Sequence, residues 1–177
     1  MTRKKIYILF IIVLVAVWSY FIYNFGAEHL VQVLGVTNGY LLAFFVTLFG
    51  GSSTLTSLSY IATITTLALG GLDPLVLALI GGAGLFMGDL IYYYIGFRGR
   101  EVFVETDIIK TITKYADKLP HWAAIVIMYL YFSTPFPNDF LIVLLGLSRF
   151  SFRQILIPLV LGDMTFIFIV SYFVTKF

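Results

Sequence analysis

The chain is dominated by five apolar blocks, and the lengths of these blocks decide what it can fold into. Three blocks are continuous and 20 to 24 residues long, so each can cross a bilayer core of about 30 Å as a single helix. The other two are longer and carry small or helix-breaking residues near their middles. The blocks are residues 6–25, 40–69, 74–97, 121–147 and 154–173. They predict an all-α polytopic membrane protein.

The composition agrees with a lipid environment. Hydrophobic residues make up 60% of the 177 residues and charged residues 11%, against about 45–50% and about 25% in soluble domains. The chain has no cysteine, which excludes a disulfide framework and a thiolate metal site. A net charge of +2 does not indicate nucleic-acid binding. No linker divides the sequence, so we treat residues 1–177 as a single membrane domain.

The two interrupted blocks have an unusual length. Each has about 29 residues, roughly 43 Å as a continuous helix, which is long for one crossing and short for two. The breaks fall at residues 50–54 and 133–139, where Gly, Ser, Thr, Pro and Asn cluster. Proline removes a backbone donor and glycine costs about 1 kcal/mol in a helix. We predict that each block is a re-entrant helical hairpin that returns to the side it came from.

The distribution of basic residues supports this topology. Residues 6–25 follow Arg3, Lys4 and Lys5 without a small-x-small cleavage site, so we predict a retained transmembrane helix with a cytoplasmic N-terminus. If both interrupted blocks turn back, every Lys and Arg except Lys176 is cytoplasmic, as the positive-inside rule favours. The C-terminus is then outside. We expect the protein to reside in a prokaryotic plasma membrane.

The second half of the chain repeats the order of the first. We divide the sequence into an N-terminal helix and outer loop, repeat 1, a cytoplasmic amphipathic helix and repeat 2 (residues 1–39, 40–97, 98–120 and 121–177). Both continuous blocks contain a Gly-Asp pair, Gly88-Asp89 and Gly162-Asp163. The topology places the two units in opposite orientations. Inverted repeats with broken helices are typical of transporters, which bind substrate where the repeats meet.

Three acids are predicted to lie inside the membrane. Asp89 is nine residues before Arg98, and Asp163 is nine after Gln154, so each lies about 14 Å from the cytoplasmic edge. Asp139 follows the second break. An aspartate at the bilayer centre costs about 2.5–3.5 kcal/mol on insertion scales, so such residues need a reason. They either line a polar cavity that exchanges protons or orients a headgroup, or cap half-helices and bond to neighbouring hydroxyls.

The breaks and their flanks supply the remaining candidate binding residues. Hydroxyls and exposed backbone donors suit a phosphate, and the arginines could guide an anionic headgroup or serve only as positive-inside anchors. We expect no metal site and no cofactor, and no reaction constellation indicates an enzyme. The candidates besides the three acids are Ser52, Ser53, Pro135, Pro137, Asn138, Arg149 and Arg153.

Two motifs carry a resemblance to a known family. The first consists of Gly81, Gly82, Ala83, Gly84, Gly88, Asp89, Tyr93 and Gly96, and the second of residues 134–139 with Gly146 and Gly162. The first resembles the signature G-A-x-x-G-D-x-x-x-Y-x-I-G-R of the DedA, or VTT-domain (SNARE-associated), membrane protein family. The second is similar to that family's second re-entrant motif. The chain departs from the pattern at Phe97, where the family has Arg, and in residues 50–57, which lack the family's Pro and Glu.

The resemblance implies a function in lipid translocation. It predicts a flippase or scramblase for a phospholipid or a polyprenyl phosphate, with proton linkage left open and membrane lipids as the partners. The oligomeric state, a homo-oligomer included, is not fixed by the sequence. A small-solute or ion transporter and a structural membrane assembly protein are the alternatives.

Overall fold

The computed structural model describes residues 13, 27–50, 54–103, 120–136, 138–148 and 150–176. Within these ranges the chain is helical, and no strand is present. The helices are α1 (Ala27–Leu34), α2 (Val36–Gly50), α3 (Thr54–Leu69), α4 (Pro74–Phe103), α5 (His121–Phe132), α6 (Asn138–Leu147) and α7 (Phe152–Val174). The prediction of an all-α protein is therefore confirmed for the described residues. The predicted first transmembrane helix and most of the amphipathic helix lie outside the described residues.

Two helices are long and apolar enough to cross a membrane. They are residues Pro74–Gly99 of α4 and the whole of α7, with mean hydropathies of 1.9 and 2.1. Both extend the predicted blocks by a few residues, because polar residues at their ends continue the helical backbone. A third crossing is obtained among the described residues if α1 and α2, which meet at an angle of 103°, are counted as one span.

Each interrupted block forms two helices. Helices α5 and α6 are separated by residues 133–137, at the predicted break, and α2 and α3 by residues 51–53; residues 51–53 and 137 lie outside the described residues. The four helices have 15, 16, 12 and 10 residues, or about 15–24 Å, so none is long enough to cross the bilayer core alone. At the end of α5, the hydroxyls of Ser133 and Thr134 donate to the carbonyl oxygens of Tyr129 and Tyr131 at 2.8 and 2.6 Å. The same two carbonyls also accept the backbone N–H groups of Ser133 and Thr134 at 3.0 and 3.1 Å, so both kinds of bond hold the end of α5.

Residues 27–39, which the sequence analysis assigns to an outer loop, instead form α1 and the start of α2. Gly35 joins the two helices with a positive φ of 77°, a conformation that glycine adopts without strain. Val31 is buried against Gly70, where a Cβ would overlap the valine side chain. The loop therefore becomes helical because α1 has a buried apolar contact.

The two long helices run antiparallel through the centre of the molecule. Ser171 of α7 donates to the carbonyl oxygen of Pro74 at 3.4 Å, and Gly82 of α4 packs directly against Met164. Helix α4 also packs against α2 and α6, whereas α7 packs against α5 and α3. Each long helix therefore contacts the first short helix of its own half and the second short helix of the other half.

The molecule is apolar outside and partly polar inside. Large side chains such as Phe49, Leu58 and Phe140 are about two-thirds exposed, at 68%, 67% and 68%. In contrast, the buried residues include Thr47, Thr63, Thr66, Asp89, Ser148, Asp163 and Ser171. Most of these hydroxyls donate to backbone carbonyls of their own helix. This arrangement suits a lipid solvent, in which apolar surface carries no penalty and polar groups are satisfied internally.

Candidate functional site

Four polar residues converge between α4, α6 and α7. We define the acidic centre as Asp89 of α4, Asn138 and Asp139 at the start of α6, and Asp163 of α7. Asp89 and Asp163 have no exposed surface at all. All four residues are among those predicted from the sequence to bind substrate, and the structure brings them together from three helices.

The glycine before each buried aspartate positions it. A Cβ on Gly88 would lie 2.7 Å from the carbonyl oxygen of Leu48, near the end of α2. A Cβ on Gly162 would overlap Phe132, the last residue of α5. Each glycine thus lets a short helix end against a long helix one residue before the acid. The two Gly-Asp pairs therefore share their sequence and the packing of their glycine against the end of a short helix.

The two aspartates do not lie at the same depth. With Gly82 opposite Met164, the level of Asp163 falls at residue 83 of α4, so Asp89 lies roughly 9 Å further along the axis. The prediction of equal depth counts from Arg98 and from Gln154, whereas α4 extends past the start of α7. Tyr93 of α4 already donates to the carbonyl oxygen of Phe150 at 2.9 Å. Side chains tilt toward their own helix N-terminus. In antiparallel helices this tilt brings the two carboxyl groups toward each other.

Asn138 lies between the two carboxyl groups. Its Nδ2 atom donates to Oδ1 of Asp163 at 3.3 Å. It also interacts favourably with Asp89, without reaching hydrogen-bond geometry. Asn138 is the first residue of α6, where an asparagine often caps the helix through its side chain. Here the side chain contacts α7 instead.

Four buried oxygen atoms of the centre have no hydrogen-bond partner within the described part of the chain. They are both carboxyl oxygens of Asp89, Oδ2 of Asp163 and Oδ1 of Asn138. All four are acceptors unless a carboxyl is protonated. A buried acceptor without a donor costs about 1–3 kcal/mol. Within the described residues the centre therefore has fewer hydrogen-bond donors than its buried acceptors need.

The carboxyl groups act on one another electrostatically. Asp163 is influenced by Asp89, and Asp89 by Asp139. Asp139 is partly exposed and stands in the first turn of α6, where the helix dipole favours a negative charge. Asp139 therefore forms the accessible edge of the centre, and the other two acids form its interior.

Tyr60 of α3 also belongs to this region, although the sequence analysis does not include it. It is buried and is affected by the charges of Asp163, Asp89 and Asp139. Its ring packs edge-on against Phe166 with the centroids 6.4 Å apart, and its Cβ lies where a Cβ on Gly50 would have to go. The only sequence signal is that Tyr60 is the single tyrosine in the hydroxyl-rich helix α3.

Two other predicted binding residues, Pro135 and Arg153, are not part of the centre. Pro135 is exposed in the connection after α5. Arg153 is exposed at the start of α7, ten residues before Asp163 and so about 15 Å away along the helix. Ser52, Ser53, Pro137 and Arg149 lie outside the described residues.

The donor set limits the chemistry of the centre. Among the described residues, no group of three or more His, Cys, Asp or Glu side chains could hold a metal ion. The Lys and Arg residues whose side chains the structure describes, Arg98, Arg153 and Lys176, are exposed and lie near helix ends. The centre can accept protons or positive charge, and it repels anions.

Comparisons with known proteins give no relative: no family model, no curated protein and no solved structure matches this chain. The resemblance to the DedA family therefore stays a prediction based on two motifs. The function has to be argued from the acidic centre and its surroundings.

Proposed function

We propose that this protein moves lipids across the bilayer, as a flippase or scramblase for a phospholipid or a polyprenyl phosphate. The acidic centre is the observation that carries the proposal. It contains two fully buried aspartates in a bundle whose outer surface is apolar. Ionisable residues at such positions are costly and rarely only structural. Four unpaired acceptors make a purely structural role, in which polar groups satisfy one another, less suitable.

We further propose that the two halves are inverted repeats and that each pair of short helices is a re-entrant hairpin. Two observations support this arrangement. The long helices exchange contacts in the same way, each with the first short helix of its own half and the second of the other half. The short helices cannot cross the bilayer singly, and each pair is joined by a break of at most five residues. Broken helices that meet near the midplane are typical of transporters with inverted repeats.

The proposed orientation places the N-terminus in the cytoplasm and the C-terminus outside, in a prokaryotic plasma membrane. Because α4 and α7 are antiparallel, Arg98 near the end of α4 and Arg153 near the start of α7 lie on the same side. Lys176 follows the opposite end of α7. This distribution supports a cytoplasmic side that carries the arginines.

The centre gives a headgroup a polar path through the apolar barrier once a proton or a cation neutralises its acids, because ionised carboxylates would repel a phosphate. Asp139, at the accessible edge, would be the first acid that a headgroup meets, and Asp89 and Asp163 would lie deeper. Arg153 would attract a phosphate at the cytoplasmic mouth, where it is exposed. The acyl chains would stay in the surrounding lipid, against the exposed apolar side chains.

The proposal is tested by lipid flipping in proteoliposomes. The purified chain is reconstituted with a fluorescent phospholipid, and the fraction accessible to dithionite is followed over time. We expect flipping well above that of protein-free vesicles, a loss of at least tenfold in Asp89→Asn, and a smaller loss in Asp139→Asn. Glu28→Gln, which changes an exposed acid on α1, is the matched control and should behave as wild type.

Two outcomes would contradict the proposal in different ways. Flipping equal to that of protein-free vesicles removes the activity. Full flipping in both aspartate variants leaves the activity but removes the acidic centre as its site.

A transporter of small solutes or ions is the second candidate. The complete burial of Asp89 and Asp163 favours it, because an ion reaches a closed centre more easily than a headgroup does. Flux of an ion or solute through the same proteoliposomes, without flipping of the labelled lipid, would establish this second candidate.

A further inference from the structure

The proposed function does not say what the four unpaired acceptors of the acidic centre bind. Oδ1 and Oδ2 of Asp89, Oδ2 of Asp163 and Oδ1 of Asn138 are all buried oxygen atoms without a donor in the described residues. We propose that the acidic centre binds a monovalent cation, with sodium as the probe. The inference deepens the proposed translocation, on which it rests, by naming an ion that binds at the same site.

A cation is the ligand that the charges of the centre require. Asp89 and Asp163 are fully buried, and the described arginines and lysine are exposed near helix ends. A carboxylate buried without a counter-charge is strongly unfavourable. The Nδ2 atom of Asn138 donates to Asp163, but an amide carries no net charge. An anion such as a phosphate would add to the repulsion.

The available atoms favour a metal ion of low charge. Carboxylate and amide oxygens are ligands of hard cations such as sodium, magnesium and calcium. Calcium takes six to eight oxygen ligands, often from several carboxylates, and no group of three acidic side chains in the described ranges is close enough to hold a metal. The interior of the centre offers two carboxylates and one neutral amide oxygen, so one monovalent cation together with one proton balances its charge.

A proton is a less complete solution. One proton on Asp89 supplies one donor and leaves the remaining acceptors unpaired. A sodium ion takes several oxygen ligands at once and so satisfies more of these acceptors than one proton does. Asp89, Asp139, Asp163, Tyr60 and Tyr131 are the titratable groups that act on one another here, and proton binding by any of them would compete with the ion.

The position of the centre predicts what binding does to the molecule. Asp89 belongs to α4, in the first half of the chain, and Asn138 and Asp163 belong to the second half. An ion held between them links α4 to α6 and α7. A ligand that binds only the folded state stabilises it in proportion to the logarithm of its concentration. Sodium should therefore raise the thermal stability of the whole chain.

Binding is tested on the full chain in detergent, without any translocated lipid. The unfolding temperature is measured in sodium chloride and in choline chloride at equal ionic strength, and binding of radioactive sodium is measured directly. We expect saturable binding and a rise of roughly 5 °C at 100 times the dissociation constant. Asp89→Asn and Asp163→Asn should lose both effects, and Glu28→Gln should keep them.

Several outcomes would overturn the inference. Three of them concern the unfolding temperature: an equal rise in choline, a rise at lower pH without sodium, and a larger rise with methylammonium than with sodium. The fourth is unchanged sodium binding in both aspartate variants. If a variant does not fold, Asn138→Ala takes its place, with a loss of at least tenfold in sodium affinity expected. Unchanged affinity in that variant counts against the site.

This test separates the ion from the proposed function. Sodium binding in detergent without flipping in vesicles supports the cation site and rejects lipid translocation. Flipping that proceeds without any sodium binding supports translocation and rejects the cation site.

Discussion

In both Gly-Asp pairs of the long helices the glycine packs against the end of a short helix, yet the two aspartates have different hydrogen-bond partners. Gly88 packs against Leu48 at the end of α2, and Gly162 packs against Phe132 at the end of α5. Asp163 accepts a hydrogen bond from Asn138, and it is also the acid whose charge acts most strongly on Tyr60. Asp89 has no hydrogen-bond partner among the described residues.

The difference arises from the short helices. The second break is followed by Asn138, whose amide reaches Asp163 from the start of α6. Helix α3 contributes Tyr60, on which the charge of Asp163 acts more strongly than the charge of Asp89. Two similar halves therefore produce one acid that is held by its neighbours and one that is not. We infer that Asp163 is the more firmly held of the two acids, because only Asp163 accepts a hydrogen bond from Asn138.

The largest effect on stability is expected when the close packing of a glycine against a short helix, which both pairs share, is disrupted. Gly162→Ala places a Cβ into Phe132, and the long helix has to move away from α5. Overpacking typically costs about 1–3 kcal/mol of unfolding free energy and occasionally more, and the overlap with both the side chain and the backbone of Phe132 places Gly162→Ala at or above the upper end. Gly81→Ala is the matched control. Its Cβ would meet neighbouring atoms at 3.3 to 3.6 Å, and alanine has a higher helix propensity than glycine. Equal stability of the two variants in a detergent unfolding titration would mean that the close approach at Gly162 is not needed.

An intermediate effect is expected when each acid is replaced by an apolar side chain. In choline buffer, Asp89→Leu should raise the free energy of unfolding by about 1–3 kcal/mol, because a buried group without a partner is removed. Asp163→Leu should gain little, because Asn138 then loses its acceptor, which costs about 1–3 kcal/mol. The measurement is the same unfolding titration for both. A larger gain in Asp163→Leu would reverse the roles that we assign to the two acids.

The sequence predicts the breaks of the fold better than the geometry of the site. The break after Phe132, at residues 133–136, is where expected, because proline and hydroxyl residues act locally on the backbone. The depth of Asp89 relative to Asp163 is not obtained from the sequence. It depends on the register of α4 against α7, which Gly82, Met164, Ser171 and Pro74 set by tertiary contact.

The same distinction applies to the site residues. The three acids and Asn138 could be found because polar residues in apolar blocks are conspicuous. Tyr60 could not, because tyrosine is common in membrane helices and its relation to the acids depends on how α3 packs against α7. Helix α1 is not predictable from the sequence for the same reason, since it depends on the burial of Val31 against Gly70.

The smallest effect is expected at Tyr60, where the comparison can be sharpened. Tyr60→Phe keeps the ring against Phe166 and removes only the hydroxyl, so the unfolding free energy should change by less than about 1 kcal/mol. If the hydroxyl helps to hold Asp163 in place, the dissociation constant for sodium should rise about two- to fivefold, equivalent to at most about 1 kcal/mol. Tyr40→Phe is the control, since the Tyr40 hydroxyl accepts from the backbone N–H of Asp73 at 3.1 Å, outside the acidic centre. The same rise in both variants would indicate a general loss of packing, and no change in either would leave Asn138 as the one described side chain that fixes Asp163.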